Sequence, residues 1–335
     1  MKIKFGIVGC GHIAKRHAKH ISQNKLAELV AVYDINNENA KSLASHFNNV
    51  AVANSLDELI SNKEIDILNI CTPNGTHASI AIEALKAKKH VLVEKPMALH
   101  VADCEQMIEV AKANNKSLFV VKQNRFNPPV QWVKKVVEKG SFGELFQVSL
   151  NCFWNRNENY YNQSNWRGTK DNDGGILYTQ FSHFIDILMY LCGDVEDVKG
   201  FTNNFKHKYN EIEDAAHFAF KLTNGAIGSL ACTVNAFDNN LEGSITLFYE
   251  HATLKIGGKY LNTLEFLKGE KPEKLPSISA TVANDYGSYE GSMSNHDKVI
   301  ENVVKALKGE EPIMTSADEG AKVVEAIEKF YSSVR

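Results

Sequence analysis

The sequence predicts an α/β chain: an N-terminal, doubly wound parallel sheet, then a C-terminal α+β domain with an open, mostly antiparallel sheet. Three observations carry that expectation. Short apolar runs alternate with helical stretches as far as residue 121, and strand–helix alternation builds parallel sheets because each crossover helix returns the chain to the same edge. From residue 122 onward, long β-like runs dominate, at 144–154, 195–205, 213–222, 226–234, 242–249 and 252–257. Few helices separate them, which favours antiparallel pairing. At 335 residues the chain also exceeds one comfortable core. Two domains are therefore expected, 1–121 and 122–335, with the last helices free to pack back on the first domain.

Taken in order, Ile3-Lys4-Phe5-Gly6-Ile7-Val8 is a mostly apolar strand, and Lys15 to His20 is helical. Between them lies Gly9-Cys10-Gly11-His12-Ile13-Ala14, a G-x-G-x-x-A turn. The first glycine permits the turn, the second lets the backbone approach a pyrophosphate, and Ala14 keeps helix and strand close; the helix N-terminus faces the anion. The second strand, Glu28 to Tyr33, ends in Asp34, 23 residues after Gly11. That is close to the spacing of an acid that binds adenosine ribose hydroxyls. A helix over 37–47 follows, then a short helix opened by Ser55 and Glu58 as a capping box. The strand 65–70 runs into the polar loop Cys71-Thr72-Pro73-Asn74-Gly75-Thr76-His77.

After a helix at 78–88, the strand 90–93 leads into Glu94-Lys95-Pro96. Pro96 fixes its own φ and pushes Lys95 out of the helical region. The ammonium is thus aimed from the carboxyl end of a strand, where open α/β sheets bind ligands. A helix at 100–114 and a strand at 117–121 close the first domain. Beyond it, Gln123 to Pro129 is a loop, 129–139 a linking helix, and further helices are expected at about 175–192, 295–308 and 316–333.

The balance of charges excludes some classes. Net charge is −3 with no long basic block, so nucleic acid is not an expected partner. No uninterrupted apolar run approaches ~18 residues, so no membrane span is expected. Strand one begins almost at the N-terminus, with no signal peptide ahead of it, and the six scattered cysteines lack a C-x-x-C; both suit a reducing cytoplasm. None of the 12 histidines shows a metal-ligand spacing, so no metal is expected.

Gly9-x-Gly11-x-x-Ala14, Thr72-Pro73-Asn74 with His77, Glu94-Lys95-Pro96, and Gly174-Gly175 followed by His183 resemble the Gfo/Idh/MocA oxidoreductases along essentially the whole chain. The resemblance implies a Rossmann domain and NAD- or NADP-dependent oxidation or reduction of sugars and cyclitols. A narrower likeness is to the WlbA/WbpB group, which oxidises C3 of UDP-N-acetylglucosaminuronic acid for bacterial surface polysaccharides. It rests on Lys122 to Val130, Trp154 with Tyr160-Tyr161, Trp166-Arg167-Gly168, Gln180-x-Ser182-His183 and Asn240 to Ser244.

Removing a hydride from a secondary alcohol requires a base, a cation beside the developing alkoxide and a fixed nicotinamide. The resemblance places Lys95 and His183 in the active site, Lys95 as the cation and His183, with its reference pKa of about 6.5, as the better base. It assigns Gly9, Gly11, His12, Ile13, Asp34, Thr72, Pro73, Asn74, His77, Glu94, Lys95, Asn124, Trp166 and Arg167 to the cofactor, NAD by virtue of Asp34. Lys95, Arg125, Tyr160, Tyr161, Thr179, Gln180 and His183 are assigned to a sugar or nucleotide-sugar substrate. Many relatives carry an Asp four residues before this His; here Thr179 stands there, leaving open whether His183 alone is the base. Asp186 either orients His183 or anchors its helix. Relatives pack sheets face to face, implying a dimer or tetramer. A free-sugar or inositol dehydrogenase and a non-catalytic NAD-binding regulator are the competing readings, the second opposed by retention of both Lys95 and His183.

Overall fold

The computed structural model describes residues 1–269, 283–285 and 290–334. The chain divides into two compact units, residues 1–121 with 296–324, and residues 122–295 with 325–335.

In the first unit, the alternating pattern folds as β1 (Ile3–Val8), α1 (His12–Gln23), β2 (Ala27–Tyr33), α2 (Asn37–Ala44), β3 (Ala51–Val52), α3 (Leu56–Ser61), β4 (Ile67–Ile70), α4 (His77–Lys86), β5 (His90–Val93), α5 (Val101–Ala113) and β6 (Leu118–Val120). The six strands are all parallel, in the order β3-β2-β1-β4-β5-β6. The order reverses beside β1, so the carboxyl ends of β1 and β4 flank the point where such sheets bind ligands. The central strands read as apolar runs because both faces are covered: Phe5, Ile7, Ile67, Leu68, Val91 and Leu92 are fully buried. Ser55 Oγ caps α3 by accepting from the Glu58 N–H at 3.0 Å. Glu58 completes the reciprocal half one residue early, accepting from Asn54 N at 2.8 Å.

The second unit opens with a 3₁₀ turn, Gln123–Phe126, and α6 (Pro128–Glu138). There follow β7 (Leu145–Phe153), α7 (Glu158–Asn162), α8 (Ile176–Thr179), α9 (Ser182–Cys192), β8 (Val195–Asn203), β9 (Ala215–Leu222), β10 (Ile227–Thr233), β11 (Glu242–Tyr249), β12 (Ala252–Gly257) and β13 (Thr263–Gly269). The sheet runs β13-β12-β11-β7-β10-β9-β8 and is antiparallel except at its centre, where β7 and β10 are parallel. A two-stranded ribbon, β14 (Ala283–Asp285) with β15 (Glu290–Met293), precedes α10 (His296–Leu307) and α11 (Ala317–Ser332). Strand β9 alternates one residue in and one out over Ala216 to Leu222, the signature of a sheet with one covered face.

Some elements differ from expectation, the short α7 and the β14–β15 ribbon among them. The helix expected over 175–192 is two, α8 and α9, broken at Gln180-Phe181. The Gln180 side chain is drawn to Arg156 and Tyr160, and Phe181 packs into the Trp154–Phe184 aromatic cluster. Strand β13 was missed because none of its residues is buried, so it carries no apolar face to read. Strand β3 is two residues long, too short for any period.

At the start of β5, His90 Nδ1 accepts from Ser117 N at 3.0 Å. Burial, with the Lys116 charge, holds this imidazole down at about 4 from its ordinary 6.5. Unfolding below pH 6.5 therefore takes up a proton, so the stability His90 gives is full above 6.5 and is lost as pH falls towards 4. The Tm is expected to fall across that window, and less steeply in His90→Gln. Equal slopes for the two proteins in melts from pH 7 to 4.5 would show that this proton uptake lies elsewhere.

Candidate active site

The glycine turn fits a dinucleotide. Gly9 has φ +84°, and a Cβ there would lie 2.7 Å from the Cys71 carbonyl oxygen, so no other residue fits. A Cβ on Gly11 would meet nothing within 4 Å, which leaves an open approach to the start of α1, where no side chain caps the helix. His12 and Ile13 are the first two residues of α1, His12 exposed. Asp34 Oδ2 accepts from Cys10 N at 2.7 Å and Oδ1 from Asn36 N at 2.8 Å. The carboxylate thereby pins the glycine turn to the end of β2, and each oxygen keeps a lone pair for a ribose hydroxyl.

In the loop after β4, Asn74 is buried, while Thr72 and Pro73 are partly exposed. His77, assigned to the cofactor from sequence, is instead a strut. It is fully buried, with Nδ1 2.8 Å from the Pro96 carbonyl and Nε2 2.9 Å from the Thr72 carbonyl. Burial lowers its pKa against the pull of those two carbonyls, and the ring ties this loop to the Lys95 turn. Glu94, also assigned to the cofactor, turns inward: its Oε1 lies 2.7 Å from His17 Nε2 and its Oε2 accepts from Lys95 N at 3.1 Å. Burial pushes this carboxyl up, but the hydrogen bond and charge of His17, with the charges of His296 and Lys95, outweigh it and hold it at about 2. The sequence showed no metal-ligand spacing, yet the fold brings donor atoms of His17, Glu94 and His296 within 4.8 Å of one another. Three remote segments supply them, so spacing could not reveal the group.

In the second unit, His183 is buried at the start of α9, its Nε2 3.3 Å from the Gln123 amide. Asp186, one turn on, anchors the helix. It takes Lys122 on Oδ1 and Arg125 through Nη2 on Oδ1 at 2.7 Å and Nε on Oδ2 at 2.9 Å. Burial raises this carboxyl, but Arg125 and Lys122 hold it at about 2. Arg125, assigned to the substrate, is thus in a buried ion cluster, with its guanidinium 4.5 Å over the Tyr190 ring. Asn124, assigned to the cofactor, is buried with Oδ1 on the Ser292 hydroxyl.

Gly174 and Gly175 have φ of +84° and +126°, and a Cβ on Gly175 would overlap the Tyr331 hydroxyl. The Thr179 hydroxyl donates to Asp173, whose carboxylate also accepts from Gly168 N at 2.9 Å. Gln180 donates to the Tyr160 hydroxyl at 2.6 Å and accepts from Arg156 Nε at 2.8 Å. Arg167 lies 4.0 Å over Tyr160 and donates to its carbonyl at 2.7 Å. Tyr161 packs edge-on to Tyr160, and Trp166 is partly exposed beside Arg167. Sequence reasoning missed Gln123, Arg156 and Asp173 as site components. Arg156, 2% exposed, left one signal, a lone cation between Trp154 and Tyr160.

A glycine turn fitted to a pyrophosphate and an acid at the end of β2 define a dinucleotide-dependent oxidoreductase. Residues 3–122 match the oxidoreductase family with an NAD-binding Rossmann fold, and residues 130–255 match the GFO/IDH/MocA C-terminal domain. The chain is 30% identical over 288 residues to 2,7-anhydro-N-acetylneuraminate hydratase of Escherichia coli K12, covering 81% of this chain and 74% of that one. Two solved WlbA dehydrogenases, each in complex with NADH and UDP-GlcNAcA, match all of this chain at 34% identity. That of Bordetella pertussis has a TM-score of 0.90 over 97% of its length, and that of Chromobacterium violaceum 0.92 over 94%. The chain belongs to the Gfo/Idh/MocA oxidoreductase family. It is an NAD-dependent dehydrogenase for sugar-type substrates. Among the described residues no helix is long and apolar enough to cross a membrane.

Asp34 ends β2 at the position expected of an acid that binds the adenosine ribose, so NAD is expected to bind more tightly than NADP, whose 2′-phosphate it would repel. Asp34→Ala removes both the hydroxyl contact and the repulsion and should narrow the gap. Equal or tighter NADP binding by the unaltered protein, measured by fluorescence titration, would contradict this role for Asp34.

Proposed function

We propose that the chain oxidises the C3 hydroxyl of UDP-N-acetylglucosaminuronic acid in the cytoplasm, on a route to bacterial surface polysaccharide. The observation that carries this reading is the full-length likeness, at 34% identity, to two dehydrogenases solved with NADH and UDP-GlcNAcA. NAD, when bound, accepts the hydride. Lys95 donates a hydrogen bond to the reacting hydroxyl and stabilises the developing alkoxide by charge. His183 takes the hydroxyl proton as general base. Trp166, partly exposed, offers a stacking face for a nucleotide sugar, while Tyr160 and Tyr161 are buried and support the site from behind. Arg125, Thr179 and Gln180 act from behind, since their polar groups hold Asp186, Asp173 and the Arg156–Tyr160 pair respectively.

The test is NADH absorbance with a panel of UDP-sugars, free sugars and inositols. Turnover is expected with UDP-N-acetylglucosaminuronic acid, with loss of at least ~10²-fold in kcat for Lys95→Ala and ~10²–10⁴-fold for His183→Asn. Turnover confined to inositol or a free sugar would replace the substrate assignment. NAD binding with no turnover would favour the regulator reading, and a near-normal Lys95→Ala would show that the active site has been misplaced.

We further propose that two copies of the chain pair through the outer face of the seven-stranded sheet. The supporting observation is a register row Lys199, Ala219, Ser229, Ser149, Thr246, Lys255 and Phe266 across that sheet, small at its centre. Phe201, Ile227, Phe248 and Phe266 are all exposed. Small central side chains allow close approach, and exposed apolar residues clustered on one face mark an interaction surface. Light scattering should give at least a dimer, dissociated by Phe201→Glu; a monomeric native protein would end this proposal.

A further inference from the structure

The buried group beneath Lys95 has no part in the chemistry described above. Glu94 continues the sheet, its N–H donating to the Ile70 carbonyl at 3.0 Å. The ladder ends there, and the next N–H, that of Lys95, is taken by Glu94's own Oε2 at 3.1 Å. The following carbonyl, that of Pro96, lies 2.8 Å from His77 Nδ1. Lys95 is therefore held on both sides by buried side chains. On the Glu94 side the hold reaches further, because Oε1 lies 2.7 Å from His17 Nε2. His17 is fully buried in α1, the helix that begins at the glycine turn.

We propose that Glu94 is a positioning residue, which through His17 fixes the backbone of Lys95, and so the aim of its ammonium, to the helix that carries the cofactor turn. This rests on the reading of Lys95 as an active-site residue.

The chemistry favours a clamp over a loose contact. A buried carboxylate is costly unless hydrogen-bonded and charge-compensated, and here both oxygens accept N–H groups. A charge-assisted bond at 2.7 Å is short and directional. His296, the first residue of α10, closes the other side, with its ring 5.2 Å from that of His17 and its Nε2 3.8 Å from Glu94 Oε1. A divalent metal could also use these three donors, but it would have to displace the proton that His17 donates to Glu94. Glu94→Gln keeps the size of the side chain but carries one acceptor oxygen where the carboxylate has two. Either the His17 proton or the Lys95 N–H then loses its partner.

The test is a double-mutant cycle. Glu94→Gln should lower kcat by about 10–100-fold on the substrate that the panel identifies, with the NAD dissociation constant changed less than about threefold. In a Lys95→Ala background the same substitution should change kcat by less than about twofold, because a residue that acts through Lys95 has nothing left to position. Should Glu94→Gln fold poorly, His17→Leu should give the same kcat-specific, Lys95-dependent loss. Crystals of the unliganded Glu94→Gln protein should show the Lys95 main chain displaced. Equal loss in both backgrounds, a wild-type kcat in Glu94→Gln, an unmoved Lys95, or one zinc ion per chain in the purified protein would each overturn the proposal. A near-normal Lys95→Ala would instead overturn the active-site reading, independently of Glu94.

Discussion

The second unit depends on one carboxylate. Asp186 lies on the apolar face of α9 among Phe184, Ile185, Ile187 and Leu188, all fully buried. An uncompensated charge in that place would cost several kcal/mol, and removing one partner of a buried pair typically costs about 3–5 kcal/mol. Lys122, the N-cap of the 3₁₀ turn that opens the unit, and Arg125, three residues on within it, lie in line along one edge, so one ion cluster fixes both the turn and the helix. Gln123, which directly follows Lys122 in the chain, is the residue that meets His183. The imidazole thus meets a turn that Asp186, three residues along the same helix, holds in place.

How much of this was legible in the sequence divides along physical lines. The Rossmann unit was legible nearly strand by strand because its signals are local. An apolar strand, a glycine turn and an acid 23 residues on report on the same few ångströms of structure. The order of the second sheet was not legible: β7 pairs with β10 and β11, far along the chain, and no local pattern encodes that choice. At the site, motif residues were found, but the direction of their side chains was not. Glu94 and His77 sit in the expected segments and point into the protein, because their partners, His17 in α1 and the carbonyls of Thr72 and Pro96, are known only once the chain has folded. Asp173 was passed over for the same reason: next to two glycines an Asp reads as a turn residue, and only the fold shows it buried against Thr179.

Three acids of the second unit differ in what compensates them, and the difference bears on the missing carboxylate at position 179. Asp186 has cations against it and is held low. Asp173 and Glu213 are held mainly by hydroxyls and backbone N–H groups, and burial wins: both are pushed above their ordinary values. Glu213 accepts from the Tyr331 hydroxyl and from Ile176 N, the first residue of α8. Asp173 accepts from Thr179, the last residue of the same short helix. Helix α8 is four residues long, too short to persist by its own hydrogen bonds, and it is gripped at each end by one of these acids. An Asp at position 179 would set a second carboxylate against Asp173, a carboxyl that burial already pushes above its ordinary value. The threonine avoids that like-charge contact and donates a hydrogen bond to Asp173 in its place. The exchange that removes a charge from the expected dyad is therefore the one that lets α8 close onto Asp173, and α8 leads directly into the turn that presents His183.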